Sequence, residues 1–298
     1  MSTALLQSPV SVSMIPEGWF IAIIYIEIVM DTRFWGPSGW QLLHLIAQGY
    51  PDNADGKTRR RYELFFNAMK DILPCKFCRE STSNFMAQKE YALHPAMTSK
   101  KDLTFWLYSL HNRVNKKLRD QCAEDPRVIC PPPDPTYEEV FKVYDGLLQV
   151  KPTIPPGMDF LYCIVYNYPK KKEDITSDKI RAYFEFFMNI YDVYPYKKLR
   201  RVIQDFIDSH IVYDALQSRT AFMSWFQNMM KAVAQETGNV KILPSWNKIS
   251  YYASGCNKKS YRGKTCRNGR RVRNHRKTFK VTHSRLVTYP VPMPANNE

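Results

Sequence analysis

The chain has 298 residues, 44% of them hydrophobic, and a formal net charge of +15. That length is enough for two domains, but the charge is not spread over them, because Gly255 to Lys280 holds eleven Lys or Arg and no Asp or Glu. Such a segment cannot bury enough apolar surface to fold alone, which excludes it from either domain and predicts a disordered basic tail over 247–298.

At the other end, the apolar run Trp19 to Met30 is interrupted by Glu27 and preceded by no Lys or Arg. It is too short to span a bilayer and lacks the basic flank of a signal peptide. Residues 1–30 therefore read as an upstream extension that the mature protein need not contain. With no transmembrane span expected, a cytoplasmic site is the default.

Trp40 and His44 are four positions apart and so share a helix face. Arg61 to Leu73 carries apolar residues at helical spacing and stops at Pro74, so Cys75 opens the next helix. The sequence Pro74-Cys75-Lys76-Phe77-Cys78 is a CxxC pair, a pattern that serves a redox disulfide, half of a zinc site, or packing alone. A helix N-terminus favours a thiolate, and Lys76 and Arg79 add to that bias. Zinc would need two further ligands, and no second CxxC or Cys-His pair lies nearby, so no metal is assigned. A flavin-free disulfide isomerase would need a βαβ pattern around the CxxC, whereas the flanks read as helices.

Leu103 to Leu118 is a second amphipathic helix, with His111 and Asn115 on one face. Flat rings with nearby donors suit an adenine or an isoalloxazine. Cys122 and Cys130 are eight positions apart in a segment ending Cys130-Pro131-Pro132-Pro133. They can bridge to each other, shuttle electrons, or remain unpaired loop cysteines. Cys163 lies in the apolar run Phe160 to Tyr166 and reads as a small buried hydrophobe.

In order along the chain come Trp40-Gln41-Leu42-Leu43-His44, Tyr50-Pro51-Asp52, Phe65-Phe66, the CxxC, and His111-Asn112-Arg113-Val114-Asn115-Lys116-Lys117-Leu118. From about Asp31 to Leu148 the sequence resembles the Erv/ALR family of FAD-linked sulfhydryl oxidases. Its opening Phe34-Trp35-Gly36-Pro37 is similar to the version found in large DNA viruses. The resemblance implies a small helical bundle that grips FAD, with the CxxC disulfide against the flavin. It makes Cys78 the cysteine nearer the flavin and Cys75 the one attacked by a substrate thiolate. Electrons would pass from protein dithiols to Cys75–Cys78, then to FAD and to oxygen, giving hydrogen peroxide. By motif position Trp40, His44, His111, Asn112, Val114, Asn115 and Lys117 would contact FAD, with Tyr50 as a further candidate.

Two departures stand out. Pro37 replaces an arginine that many relatives carry after the glycine of the first motif. No cysteine lies between Cys78 and Cys122, so the structural disulfide common among relatives cannot form in the usual way.

The second half reads as a worn copy of the first. Ile180 to Pro195 reads against the helix before the CxxC, with Pro195 matching Pro74 and Tyr196-Lys197-Lys198-Leu199 standing where the CxxC would be. Tyr168-Pro169 echoes Tyr50-Pro51, and Ala221 to Ala234 echoes the Trp106 to Asn115 helix, with Met230 in place of His111. A degenerate bundle of this kind would resemble the pseudo-oxidase module of quiescin-type enzymes and would supply a pairing face within one chain. An unrelated helical domain is the alternative, and a homodimer is then expected.

The expected fold is all-α: a four-helix-bundle flavin-binding oxidase domain over 31–148, a second helical domain over 149–246, and the tail. The tail's charge suits phosphate or acidic protein surfaces with strong salt dependence. Tyr261 and Phe279 are too sparse for base stacking, so any nucleic-acid contact would be sequence-blind; a solubilising or targeting tail is the plainer reading. Cys256 and Cys266 lie in this tail. In the family a mobile cysteine pair often carries electrons to the CxxC, and a flexible tether raises its effective concentration. The viral relatives imply a cytoplasmic, virus-factory or virion setting. From another class comes the alternative of a catalytically idle basic scaffold or nucleic-acid-binding virion protein.

Overall fold

Side-chain caps and prolines set where the helices begin and end. The computed structural model describes residues 32–124, 130–152, 154–243, 246–253, 260–261 and 265–266. The helices of its first half are α1 (Thr32–Gln48), α2 (Gly56–Ile72), α3 (Lys76–Met86), the short α4 (Leu93–Ala96), α5 (Lys100–Glu124) and α6 (Tyr137–Gln149). Those of the second are α7 (Met158–Tyr166), α8 (Ser177–Val193), α9 (Lys197–Ser209), the short α10 (Val212–Ala215), α11 (Arg219–Thr237) and α12 (Trp246–Ala253). Asp55 caps α2 by accepting from the Thr58 amide at 2.7 Å, and α2 ends at Leu73, held extended ahead of Pro74. A reciprocal Thr136–Glu139 capping box starts α6.

The all-α expectation holds over the described residues, apart from the antiparallel pair β1 (Ser260–Tyr261) and β2 (Thr265–Cys266). That pair falls inside the segment expected to be disordered, and α12 crosses the expected boundary at 246. Residues 1–30, Cys256 and Phe279 lie outside the described residues.

One apolar core runs through both halves, from Trp35 in α1 to Ile249 in α12. The halves meet through α1 on α7 and, most extensively, α2 on α8. Phe65 stacks on Phe186 at 4.8 Å and 22°, and Arg61 pairs with Asp192 while its guanidinium lies over Tyr191. α1 crosses α7 at two glycines. A Cβ on Gly39 would sit 3.0 Å from the Phe160 ring, and one on Gly157 would sit 2.4 Å from the Leu42 side chain.

The same hydrogen bonds recur in each half. The Tyr50 hydroxyl donates to the Met97 carbonyl at 2.7 Å and the Tyr168 hydroxyl to that of Leu216 at 2.6 Å. The Trp106 indole donates to the Tyr91 carbonyl and the Trp225 indole to that of His210, fifteen positions back in both cases. Arg79 donates to the Leu73 carbonyl and Arg200 to that of Tyr194. Each of these bonds satisfies a carbonyl that a helix end or loop would otherwise leave open.

Candidate functional site

Cys75 is the N-cap residue of α3 and Cys78 lies within its first turn. Both are thiols. The Cys78 side chain hydrogen-bonds Cys75, and the amides of Cys78 and Phe77 point at the same sulfur, so the Cys75 thiol is pulled below its ordinary range against the opposing effect of burial. The thiol–thiol bond and burial push Cys78 up, and Lys117 works in the other direction. Cys75, expected as the sulfur open to substrate, is only 1% exposed, whereas Cys78 is half-buried.

Lys117 reaches across from α5 and donates to Ser81 of α3 at 2.5 Å. Burial lowers its pKa, and the neighbouring Cys78 and Cys75 oppose that shift. The Ser81 hydroxyl that receives this bond donates in turn to the Phe77 carbonyl at 2.7 Å, which ties the cation to the first turn of α3 beside the dithiol.

The aromatic part of the site forms where α1, α5 and α6 meet. Trp40 stacks on His111 at 3.7 Å and 9°. His44 Nε2 lies 3.1 Å from His111 Nδ1, and Tyr144 of α6 stacks on the other imidazole, His44, at 4.7 Å and 11°. Burial drives the His44 pKa down to about 3, and burial with the neighbouring His44 lowers His111 well below its ordinary value. Both rings are therefore neutral at physiological pH, and between them one nitrogen donates and the other accepts.

Asn112 and Val114 lie half-buried on the same helix. Asn115 is buried and spends one amide hydrogen on Asp134 at 2.8 Å, a carboxylate that Arg119 also grips through both its terminal nitrogens. Tyr50 is buried against Tyr62 with its hydroxyl on the Met97 carbonyl. Cys122 and Cys130 form a disulfide with each other. Cys163 is buried, as expected. Strand β2, which carries Cys266, lies against α3. No group of three or more metal-ligating side chains occurs among the described residues, and no described helix is long and apolar enough to cross a membrane.

Sequence reasoning missed Tyr144, Ser81 and Asp134. For Tyr144 the available signal is the Thr136–Glu139 capping box, which announces a helix with Val140, Tyr144 and Leu147 on one face. The other two are polar residues whose partners lie on distant segments, and no local pattern marks them.

Comparison with known proteins places residues 37–129 in the Erv1/Alr family model. The chain is 34% identical over 87 residues to a probable FAD-linked sulfhydryl oxidase of Acanthamoeba polyphaga mimivirus, covering 29% of this chain and 59% of that protein. It is 32% identical over 89 residues to the mitochondrial FAD-linked sulfhydryl oxidase of Saccharomyces cerevisiae, covering 30% and 45%. A putative FAD-linked sulfhydryl oxidase of invertebrate iridescent virus 3 is 27% identical over 89 residues, covering 30% and 59%. The chain thus spans about half the length of these curated relatives.

Proposed function

With residues 37–129 an Erv1/Alr domain, we propose that this chain is an FAD-dependent thiol oxidase that forms disulfide bonds in protein dithiols. The observation that carries the reading is the Cys75–Cys78 pair at the start of α3, hydrogen-bonded sulfur to sulfur beside Lys117.

The donor chemistry suits FAD. Trp40, His44 and His111 offer flat surfaces and uncharged ring nitrogens, Asn112, Val114 and Asn115 flank them, and Lys117 supplies the cation. Trp40 and His111 are already in stacking contact, and these two rings with His44 would supply the flat surfaces that hold the cofactor. Bound at these residues, FAD would supply the two-electron redox chemistry that links the dithiol to oxygen and yields hydrogen peroxide.

The residues of the chain do the rest. A substrate thiolate attacks Cys75 in the Cys75–Cys78 disulfide, and Cys78 leaves as a thiolate, which the positive charge of Lys117 favours. A second substrate thiolate displaces Cys75, so the substrate gains a disulfide and the pair gains two electrons. In the reduced pair the shared hydrogen bond makes Cys75 the more acidic thiol and, with burial, holds the proton on Cys78, against which Lys117 acts. The burial of Cys75, with β2 against α3, supports electron entry through Cys266 of the basic tail, paired with Cys256, over direct attack from solvent. Cys122–Cys130 then serves as a brace for the end of α5.

The repeated hydrogen bonds and the reciprocal glycine contacts support reading the second half as a degenerate copy of the first that pairs with it in cis. Gly39 on Phe160 and Gly157 on Leu42 exchange roles in the way the two sides of a two-fold interface do, and the matching Phe65 and Phe186 stack on each other.

The test is the visible spectrum of the purified protein, then oxygen uptake with dithiothreitol for wild type and Cys78→Ser. The reading expects a flavin band at about 450 nm and uptake lost in the variant. A protein that stays colourless and takes up no oxygen after FAD reconstitution overturns it in favour of the basic scaffold.

A further inference from the structure

Tyr196 follows Pro195 as Cys75 follows Pro74, and each is the N-cap residue of its helix, α9 and α3. Where one half keeps a sulfur, the other carries a phenol that leaves its own bundle. The Tyr196 hydroxyl donates to the Leu147 carbonyl of α6 at 3.0 Å. That carbonyl belongs to the last turn of α6, where helix carbonyls lack an intrahelical partner, and it also accepts the longer bond from the Val150 amide at 3.3 Å. One turn earlier on the same helix, Tyr144 lies on His44, and its neighbour Asp145 accepts from Gln48 at 3.2 Å. Leu45, Val140 and Tyr144 form a small core of their own, closed by Leu147, Leu148 and the Tyr196 ring.

We propose that Tyr196 is a positioning residue for the ring cluster of the first bundle: it holds the end of α6 so that Tyr144 stays flat on His44. The second bundle, with no dithiol at this position, acts on the α6 side of the first bundle's cofactor site through this contact. The proposal rests on the placement of FAD at Trp40, His44 and His111 given above. A loosened α6 lets the Tyr144 ring slide, and with it the imidazole pair His44–His111 that sets the shape and donors of the site.

The test compares the full chain with Tyr196→Phe, which removes only the hydroxyl, and with Tyr168→Phe, which removes a buried hydroxyl bond of the second bundle that does not reach α6. One readout is the imidazole resonance of His44 in flavin-free protein, which senses the ring current of Tyr144. The other is the Kd for FAD by reconstitution. The expected result is a shifted His44 resonance and a Kd raised about fivefold in Tyr196→Phe, the ratio that one hydrogen bond of ordinary strength supports. Tyr168→Phe should lower the Tm and leave both readouts unchanged. An unmoved His44 resonance in Tyr196→Phe, or equal movement in Tyr168→Phe, overturns the proposal. If wild type binds no FAD, the oxidase reading fails and the His44 resonance still decides the role of Tyr196.

Discussion

Gly157 lies against Leu42 so closely that a Cβ on it would come within 2.4 Å of the Leu42 side chain, and its φ is +87°. Two independent restrictions therefore demand glycine here, one from packing and one from the backbone. At the matching contact Gly39 has ordinary helical backbone, and its Cβ would meet the Phe160 ring at 3.0 Å.

Gly157→Ala is expected to destabilise the chain by about 2–4 kcal/mol, combining overpacking with left-handed strain. Gly39→Ala should cost about 1 kcal/mol or less, because the gain in helix propensity offsets part of the crowding. Urea unfolding of the two variants measures the difference, and an equal cost would contradict the packing of α1 on α7.

Stability should fall as pH drops below 6.5. His44 has a folded-state pKa of about 3 against 6.5 for the free group, and His111 is lowered in the same direction, so the unfolded chain takes up protons that the folded one refuses. Each ring then removes up to about 1.4 kcal/mol of stability per pH unit between its unfolded and folded pKa values. Unfolding midpoints at pH 7.5, 6 and 5 should show this loss, and a His44→Asn/His111→Asn double variant should show less of it.

Lys117→Met should slow turnover. Removing the ammonium leaves Arg79 as the remaining positive charge against the Cys75 bond and burial, both of which hold the Cys78 proton on. A fall in kcat of about tenfold with dithiothreitol, partly recovered at higher pH, fits the loss of one neighbouring charge. Stopped-flow oxidation across pH separates this from misfolding, which high pH would not reverse.

The tail and loop cysteines separate by substrate. Cys130→Ser opens an eight-position link, and loop-closure entropy puts the cost at about 2–3 kcal/mol, with dithiothreitol oxidation little changed at low temperature. Cys266→Ser should leave dithiothreitol oxidation intact and slow oxidation of a reduced protein substrate. The reverse pattern would move the shuttle to Cys122–Cys130.

How much of this was legible beforehand follows from the range of each interaction. The CxxC at a helix start, the His111/Asn115 face and the stop at Pro74 depend on residues within a turn or two of one another, and local spacing and capping reveal them. The echo of the first half in the second was also readable, because the aromatic skeleton Tyr50, Phe65, Phe66, Trp106 recurs as Tyr168, Phe186, Phe187, Trp225.

What the sequence by itself determined is local: a CxxC at a helix start, and the rings and polar side chains that share one helix face. Only the tertiary structure decided that His44 and His111 are buried together and neutral, that Tyr144 covers His44, that Tyr196 reaches α6, and that Cys75 is a buried residue. Helical periodicity states which side chains share a face. Which face meets which is settled by packing between segments far apart in the chain, where burial and hydrogen-bond partners are assigned together.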